Sequence, residues 1–262
     1  MSNKVYSRLL RVSSAQSTNP NDTPSKFSVN LARMTETNNV VRVVCKSVEF
    51  SNTFYNVTEL NNTFQIDFSV DGPINITPIP EGFYTTSQII TIIEDDISSQ
   101  ISAGETFTIE QDPLTQKLTF SIAGPLLQTL QLWAAADAPN GSNLSPSLGI
   151  VGTTNFVSNV TAQRTPYLYG ATTVYIHTLG LAESNLVDGD VEVHDIIAEV
   201  PVTAPFGVMN YYESRDEELD SINYPAPRDS IDKIDIQIKD IDNNPLTLQG
   251  GNLTIVFKLY YL

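Results

Sequence analysis

Apolar and polar residues alternate with a period of two along much of the chain. Phe27, Val29 and Leu31 alternate with Ser28 and Asn30, and Phe64, Ile66, Phe68 and Val70 with Gln65, Asp67 and Ser69. Leu118, Phe120 and Ile122 alternate with Thr119 and Ser121, and Ile234, Ile236 and Ile238 with Asp235 and Gln237. The last run sets Leu253, Ile255, Phe257, Leu259 and Tyr261 against Thr254, Lys258 and Tyr260. Successive side chains of a strand point to opposite faces, so each run predicts a strand with one buried and one wetter face, as in antiparallel sheets. The stretches 40–50, 172–180 and 190–200 are more continuously apolar and predict more fully buried strands.

Turn residues separate the runs: Asn19-Pro20, Asp71-Gly72-Pro73, Asp112-Pro113, Asn140-Gly141, Asp188-Gly189 and Asn243-Asn244-Pro245. Two hairpins are predicted, 105–111 with 116–122 and 231–239 with 252–261. One segment changes period. Ile89, Ile93, Ile97 and Ile101 recur at i+4, Thr85 and Gln88 have the spacing of a capping box, and Gly104 supplies a stop. An amphipathic helix is therefore predicted over about 86–102. Residues 123–171 are the least regular and are expected to be a long excursion from the β framework or a boundary between halves of the domain. Residues 1–25 read as a first strand and an extended polar arm, 26–262 as a single domain, and 213–230 as an exposed acidic loop.

Composition narrows the function classes. The 262 residues carry 14 Lys and Arg against 30 Asp and Glu, a net charge of −16. Charged residues make up 17%, below the usual share of about 25%; Asn, Ser and Thr fill the gap and suit strands and turns. The negative charge argues against direct binding of nucleic acid, which basic patches serve. No apolar run approaches the length of a membrane-spanning helix, and the first residues lack the apolar stretch of a secretory signal. A single cysteine, Cys45, rules out an internal disulfide and a cysteine-based zinc site, and fits a reducing compartment.

Candidate chemistry is sparse. His177 and His194 each fall in a predicted strand, where a partnered structural or interface histidine is the simpler reading than a catalytic base. No nucleophile elbow, zinc-protease helix, phosphate loop or dinucleotide fingerprint is present. Asp240-Ile241-Asp242-Asn243-Asn244 mimics the start of a calcium loop, but Pro245 stands at the sixth position, where glycine is needed, and Gly251 at the twelfth, where Glu is needed. A turn is the expectation there, and likewise at Asp188-Gly189-Asp190-Val191-Glu192. Neither a catalytic residue, a metal site nor a cofactor is expected. Tyrosines cluster at Tyr167-Leu168-Tyr169, Tyr211-Tyr212 and Tyr260-Tyr261; Tyr211 and Tyr212, beside the acidic loop, are read as subunit contact or core rather than a carbohydrate face, tyrosine being enriched in interfaces.

The order of segments adds a resemblance. Asp22-Thr23-Pro24-Ser25-Lys26-Phe27-Ser28-Val29 is followed by Val41-Arg42-Val43-Val44-Cys45-Lys46-Ser47-Val48-Glu49-Phe50 and Asn52-Thr53-Phe54-Tyr55-Asn56-Val57. Glu81-Gly82-Phe83-Tyr84-Thr85 then opens the helix. Asp195-Ile196-Ile197-Ala198-Glu199-Val200-Pro201-Val202 and Ile231-Asp232-Lys233-Ile234-Asp235-Ile236-Gln237-Ile238-Lys239-Asp240 follow. This succession resembles the minor capsid proteins of large eukaryotic DNA viruses and their virophages, some of which are the pentons at five-fold vertices.

The resemblance implies an all-β fold, an antiparallel jelly-roll β-sandwich with the one helix and long loops. It implies a non-enzymatic capsid protein, the penton, forming a homopentamer at the five-fold vertices of an icosahedral shell. Partners would be further copies of the chain and neighbouring major and minor capsid proteins, with no nucleic acid contacted directly. The protein would be found in the virion, after assembly in the host cell interior rather than secretion. Two other readings stay open: a minor or cement protein inside the shell, and a β-sandwich that binds a glycan or receptor through its loops. Contacts with neighbours are expected at Asn19, Pro20 and Asp22 in the arm, and at Tyr211, Tyr212, Arg215, Asp216 and Arg228 around the acidic loop. The acids are expected to sit mainly on outward loops such as 213–220.

Overall fold

The structure, a computed structural model, describes residues 5–17, 19, 21–31, 39–179, 181, 195–228 and 231–262. Three strands come first, β1 (Tyr6–Ser13), β2 (Lys26–Asn30) and β3 (Val40–Ser51). Next are β4 (Gln65–Phe68), β5 (Gly72–Asn75), helix α1 (Thr86–Ser98), β6 (Thr106–Gln111), β7 (Leu118–Ala123), β8 (Leu130–Leu132) and β9 (Asn159–Thr161). The last are β10 (Thr173–Leu179), β11 (Ile196–Pro201), β12 (Met209–Glu213), β13 (Ser221–Arg228), β14 (Lys233–Lys239) and β15 (Leu253–Tyr261). All pairings among these strands are antiparallel.

In place of the single domain expected over 26–262, the chain forms two compact units. One comprises Met1–Phe54 and Ala171–Leu262, the other Tyr55–Gly170. In the first unit, one sheet has the order β1-β15-β3-β12 and the other β11-β10-β14-β2. β13 also pairs with β3. Met209 to Glu213 lie opposite Ser51 to Ser47, and Ser221 to Asn223 opposite Val44 to Arg42. β12 and β13 therefore run in the same direction along one edge of β3. They are a single strand position, interrupted by residues 214–220.

Counting that position once leaves eight. In chain order the sheets read 1-8-3-6 and 5-4-7-2, so the hydrogen-bonded pairs include 1 with 8, 2 with 7, 3 with 6 and 4 with 5. That nesting is a ribbon rolled on itself, the jelly roll. The inner faces of both sheets meet in one core that includes Phe27, Val43, Phe50, Val174, Ile176, Ile234, Ile236 and Phe257. On β15 the alternation holds through Leu259, with Leu253, Ile255, Phe257 and Leu259 buried and the residues between them half-buried; Tyr261, past a shift in register, is half-buried too.

Some expectations differ from the fold. Residues 231–239 and 252–261 do not form a hairpin, because β14 pairs with β2 and β10 while β15 pairs with β1 and β3. Their connection crosses from one sheet to the other, which alternation alone does not reveal. The run 213–230 is not one exposed loop, since Ser221–Arg228 is a strand. At the N-terminus β1 is a sheet strand along β15, and a short turn of 3₁₀ helix, Ser14–Gln16, leads on toward β2.

The second unit is inserted between the third and fourth strand positions. It holds two three-stranded sheets, β5-β4-β8 and β6-β7-β9, and α1. The hairpin of β6 and β7 forms as expected, its turn closed by the Asp112 carboxylate, which accepts from the Leu114 N–H (2.9 Å) and the Thr115 N–H (2.6 Å). The helix starts where the sequence said. The Thr85 hydroxyl accepts from the Gln88 N–H (3.3 Å) and the Gln88 side chain accepts from the Thr85 N–H (2.8 Å). It ends at Ser98, a turn before the predicted limit, with Ile89, Ile93 and Ile97 buried.

The stretch 123–171, expected to be an excursion or a boundary, builds part of this unit. It supplies β8 and β9 and buries Leu144, Leu148 and Ile150 in the core. Buried Gln65 fixes it, its N–H donating to the Ser142 hydroxyl (3.1 Å) and its side-chain oxygen accepting from the Asn140 N–H (3.1 Å). Gly149 is obligatory there: its φ is +83°, and a Cβ would come within 2.1 Å of the Arg164 carbonyl oxygen.

Candidate functional site

The sheet orders place β12 beside β11 on one flank of the sandwich and β1 with β2 on the opposite flank. On the β11 and β12 flank the first unit opens a cleft of about 960 Å³. One wall is β11 with Tyr175 of β10; the other is Tyr211, Tyr212 and Glu213 of β12 with residues of the 214–220 loop. The loop exists because seven residues stand where β3 offers only Cys45 and Lys46 between the two paired segments. Its ends are pinned: the Ser214 N–H donates to the Lys46 carbonyl (3.0 Å) and the Cys45 N–H to the Asp220 carbonyl (2.8 Å).

Asn210, buried in β12, ties the two walls together. Its side-chain oxygen accepts from the Thr203 and Ala204 N–H groups (2.9 and 3.1 Å), and its nitrogen donates to the Pro201 carbonyl (3.1 Å). β11 is an edge strand among the described residues. Ile197 is the extra residue of a bulge, since His177 faces Ile196 and Ile176 faces Ala198. A bulge, an exposed Glu199 and the terminal Pro201 all discourage addition of another strand.

The acids around the cleft are mainly outward, with one exception. Glu213, Asp216 and Glu218 are exposed, but Asp220 is buried. Its carboxylate accepts a hydrogen bond from the Tyr212 hydroxyl. Burial, then that hydrogen bond, pushes the Tyr212 hydroxyl above its ordinary pKa. Burial pushes Tyr175 and Tyr211 upward too, helped by Glu199 beside the first and Glu213 beside the second. Glu217 turns toward the outward face of the five-stranded sheet. There Lys258 Nζ donates to it (3.0 and 3.3 Å), the Tyr260 hydroxyl donates as well, and Lys46 lies at 3.9 Å. The Tyr260 hydrogen bond first, then Lys258, holds the Glu217 carboxyl below its usual range. Arg42 donates to the Glu217 carbonyl. The acidic loop is thus pinned by cations of β3 and β15.

Of the residues singled out as contacts, Tyr211, Tyr212, Arg215 and Asp216 line this one cleft. Arg228 lies apart, near the Leu181 carbonyl (3.4 Å) and over the Tyr224 ring (5.8 Å to its centre). Asn19 and Asp22 form a separate turn. Asn19 Nδ2 donates to Asp22 (2.9 Å), as do the Ser17 hydroxyl and the Ser28 N–H (2.9 Å). Those bonds, Ser17 first, lower the Asp22 pKa. Pro20, His194 and the 188–192 segment lie outside the described residues. Sequence reasoning missed Tyr175 and Glu199 of the cleft, and the pinning cations. The polar phase of β15, with Lys258 and Tyr260 on one face, was the available signal.

His177 is buried and its Nδ1 lies 2.8 Å from Asp195 Oδ1, a partnered strand histidine. Burial opposes ionisation of Asp195, but the His177 hydrogen bond and charge outweigh it and the carboxyl stays below its usual range. Cys45 is buried, and burial raises its thiol pKa. Asp240 serves its own turn, accepting from the Asp242 and Asn244 N–H groups (2.9 and 2.8 Å). Among the described residues no group of three His, Cys, Asp or Glu is placed to hold a metal ion, and no helix is long and apolar enough to cross a membrane.

The fold and cleft define a class: an all-β jelly roll with a β-rich unit inserted between its third and fourth strand positions. Among solved structures the chain is similar to the mavirus penton protein, with a TM-score of 0.59 and 9% identity over 99% of this chain and 100% of that one. A chain of the Sputnik virophage structure matches with a TM-score of 0.47 and 11% identity, over 97% and 98% of the two chains. At this identity the likeness to the mavirus protein is one of fold. No protein-family model matches the chain, and no curated protein sequence does.

Proposed function

We propose that this chain is a structural capsid protein, the penton, which forms a homopentamer at the five-fold vertices of an icosahedral shell. One observation carries the reading: the likeness to the mavirus penton protein runs through the whole of both chains, inserted unit included. The role is architectural rather than catalytic. Its partners are other copies of itself and the neighbouring major and minor capsid proteins, and its place is the virion, assembled inside the host cell. The sandwich suits such a role, because a closed ring of identical subunits needs two different surfaces on each copy, and its two flanks differ in strands and side chains. The test is a reconstruction of the intact particle. Density for this chain at the five-fold vertices is the expected result; density only at sites without five-fold symmetry, or on the inner face of the shell, contradicts the penton assignment.

A further inference from the structure

The two flanks of the sandwich differ in charge. On one, the cleft gathers Glu199, Glu213, Asp216 and Asp220 against a single Arg215. Its rim is apolar and open to solvent: Tyr211 is 57% exposed and Leu219 81%. Met209, 59% exposed, extends that apolar surface along β12. On the opposite flank β1 is the sheet edge, paired only with β15 among the described residues. Its charged residues are Arg8 and Arg11, and no acid precedes Asp22 in a protein with a net charge of −16.

The first half of β1 has no core to cover. Tyr6, Ser7, Arg8 and Leu9 are all exposed, so both faces of the strand are open there. Leu9 is 61% exposed, and Arg11 has a single long ion pair, 3.9 Å to Glu49, in which its side chain stays 71% exposed. Val5, 54% exposed, adds a second uncovered apolar side chain beside this strand, and an apolar strip of this kind fits a surface covered in an assembly.

Resting on the ring reading above, we propose that the β11 and β12 cleft of one copy receives the outer edge of β1 from the next copy. Arg8 and Arg11 meet the cleft carboxylates and tyrosine rings, and Leu9 meets Tyr211 and Leu219. Guanidinium groups suit this site because they pair with carboxylates in a fork and stack on tyrosine faces. The bulge at Ile197 and Pro201 direct the contact to side chains and away from strand addition. Because donor and acceptor surfaces lie on opposite flanks of one sandwich, the contact is head-to-tail and propagates around a ring.

The experiment is a charge swap on the full chain, read by native mass spectrometry with circular dichroism as the check on folding. Arg8→Glu with Arg11→Glu is expected to raise the ring dissociation constant by roughly tenfold or more. Glu199→Lys with Glu213→Lys is expected to do the same, and the four substitutions together to restore the ring. A ring indifferent to either pair, or a folded four-fold variant that stays dissociated, overturns the contact and leaves the capsid reading standing. A wild-type chain that never assembles overturns the ring reading and this contact with it. Should reversal of charge on β1 prevent folding, Arg8→Gln with Arg11→Gln reads the same contact, and an unchanged dissociation constant there overturns it.

Discussion

Glu217 sits on the outward face of β15, where Lys258 and the Tyr260 hydroxyl donate to its carboxylate. These contacts lower its pKa, and the same partners, Tyr260 first and then Glu217, raise that of Lys258. A carboxyl with a lowered folded pKa stabilises the fold above its unfolded value, ordinarily 4.5, and loses that contribution as pH falls through the folded value. The lysine, raised when folded, keeps its contribution up to its unfolded value and loses it only at strongly alkaline pH. Glu217→Gln should therefore lower the urea midpoint of the sandwich at pH 7 by the equivalent of about 1 kcal/mol or less, the group being partly exposed. The gap between variant and wild type should close as pH drops from 5 to below 4. A gap that stays constant over that range would rule out the ionised contact as its source.

At the scale of single elements, α1 shows how far a local signal reaches. The Thr85 and Gln88 cap is a reciprocal pair of hydrogen bonds, and the helix behind it is rich in β-branched isoleucine, a weaker helix former than leucine or alanine. Thr85→Ala should destabilise the inserted unit by about 1 kcal/mol and Thr85→Ser by much less, measured by thermal melting of the helix signal. Equal losses for both would show that the hydroxyl is not the anchor. Such elements were legible because their determinants are close in sequence: the cap spans three residues, and the faces of β15 follow from alternation. Pairing was less legible, because register is set between distant residues. β12 and β13 read as separate features, since the polar run 214–220 hides their common partner β3. β8 and β9 are three residues each, too short to show a period, so the region that buries Leu144 and Leu148 looked irregular.

For the whole molecule, nothing in the alternation of 64–70 or 105–122 distinguishes it from the strands of the jelly roll, so the inserted unit was invisible as a unit. A strand pattern records that one face is buried and not which core buries it. The cleft was half legible. Tyr211, Tyr212, Arg215 and Asp216 stood out as a tyrosine and charge cluster, but Tyr175 and Glu199 reach the same cleft from two other strands, β10 and β11. Their meeting is a consequence of the rolled topology, which brings the fifth and sixth positions to one flank.

That topology leaves one flank basic and the other acidic and aromatic, and the proposed assembly follows from the difference. The most direct test is the native mass of the purified 262-residue chain at physiological ionic strength. Five chains of 28.8 kDa give about 144 kDa, the value the account predicts; a species that remains at 28.8 kDa across micromolar concentrations, or a closed dimer, would contradict it.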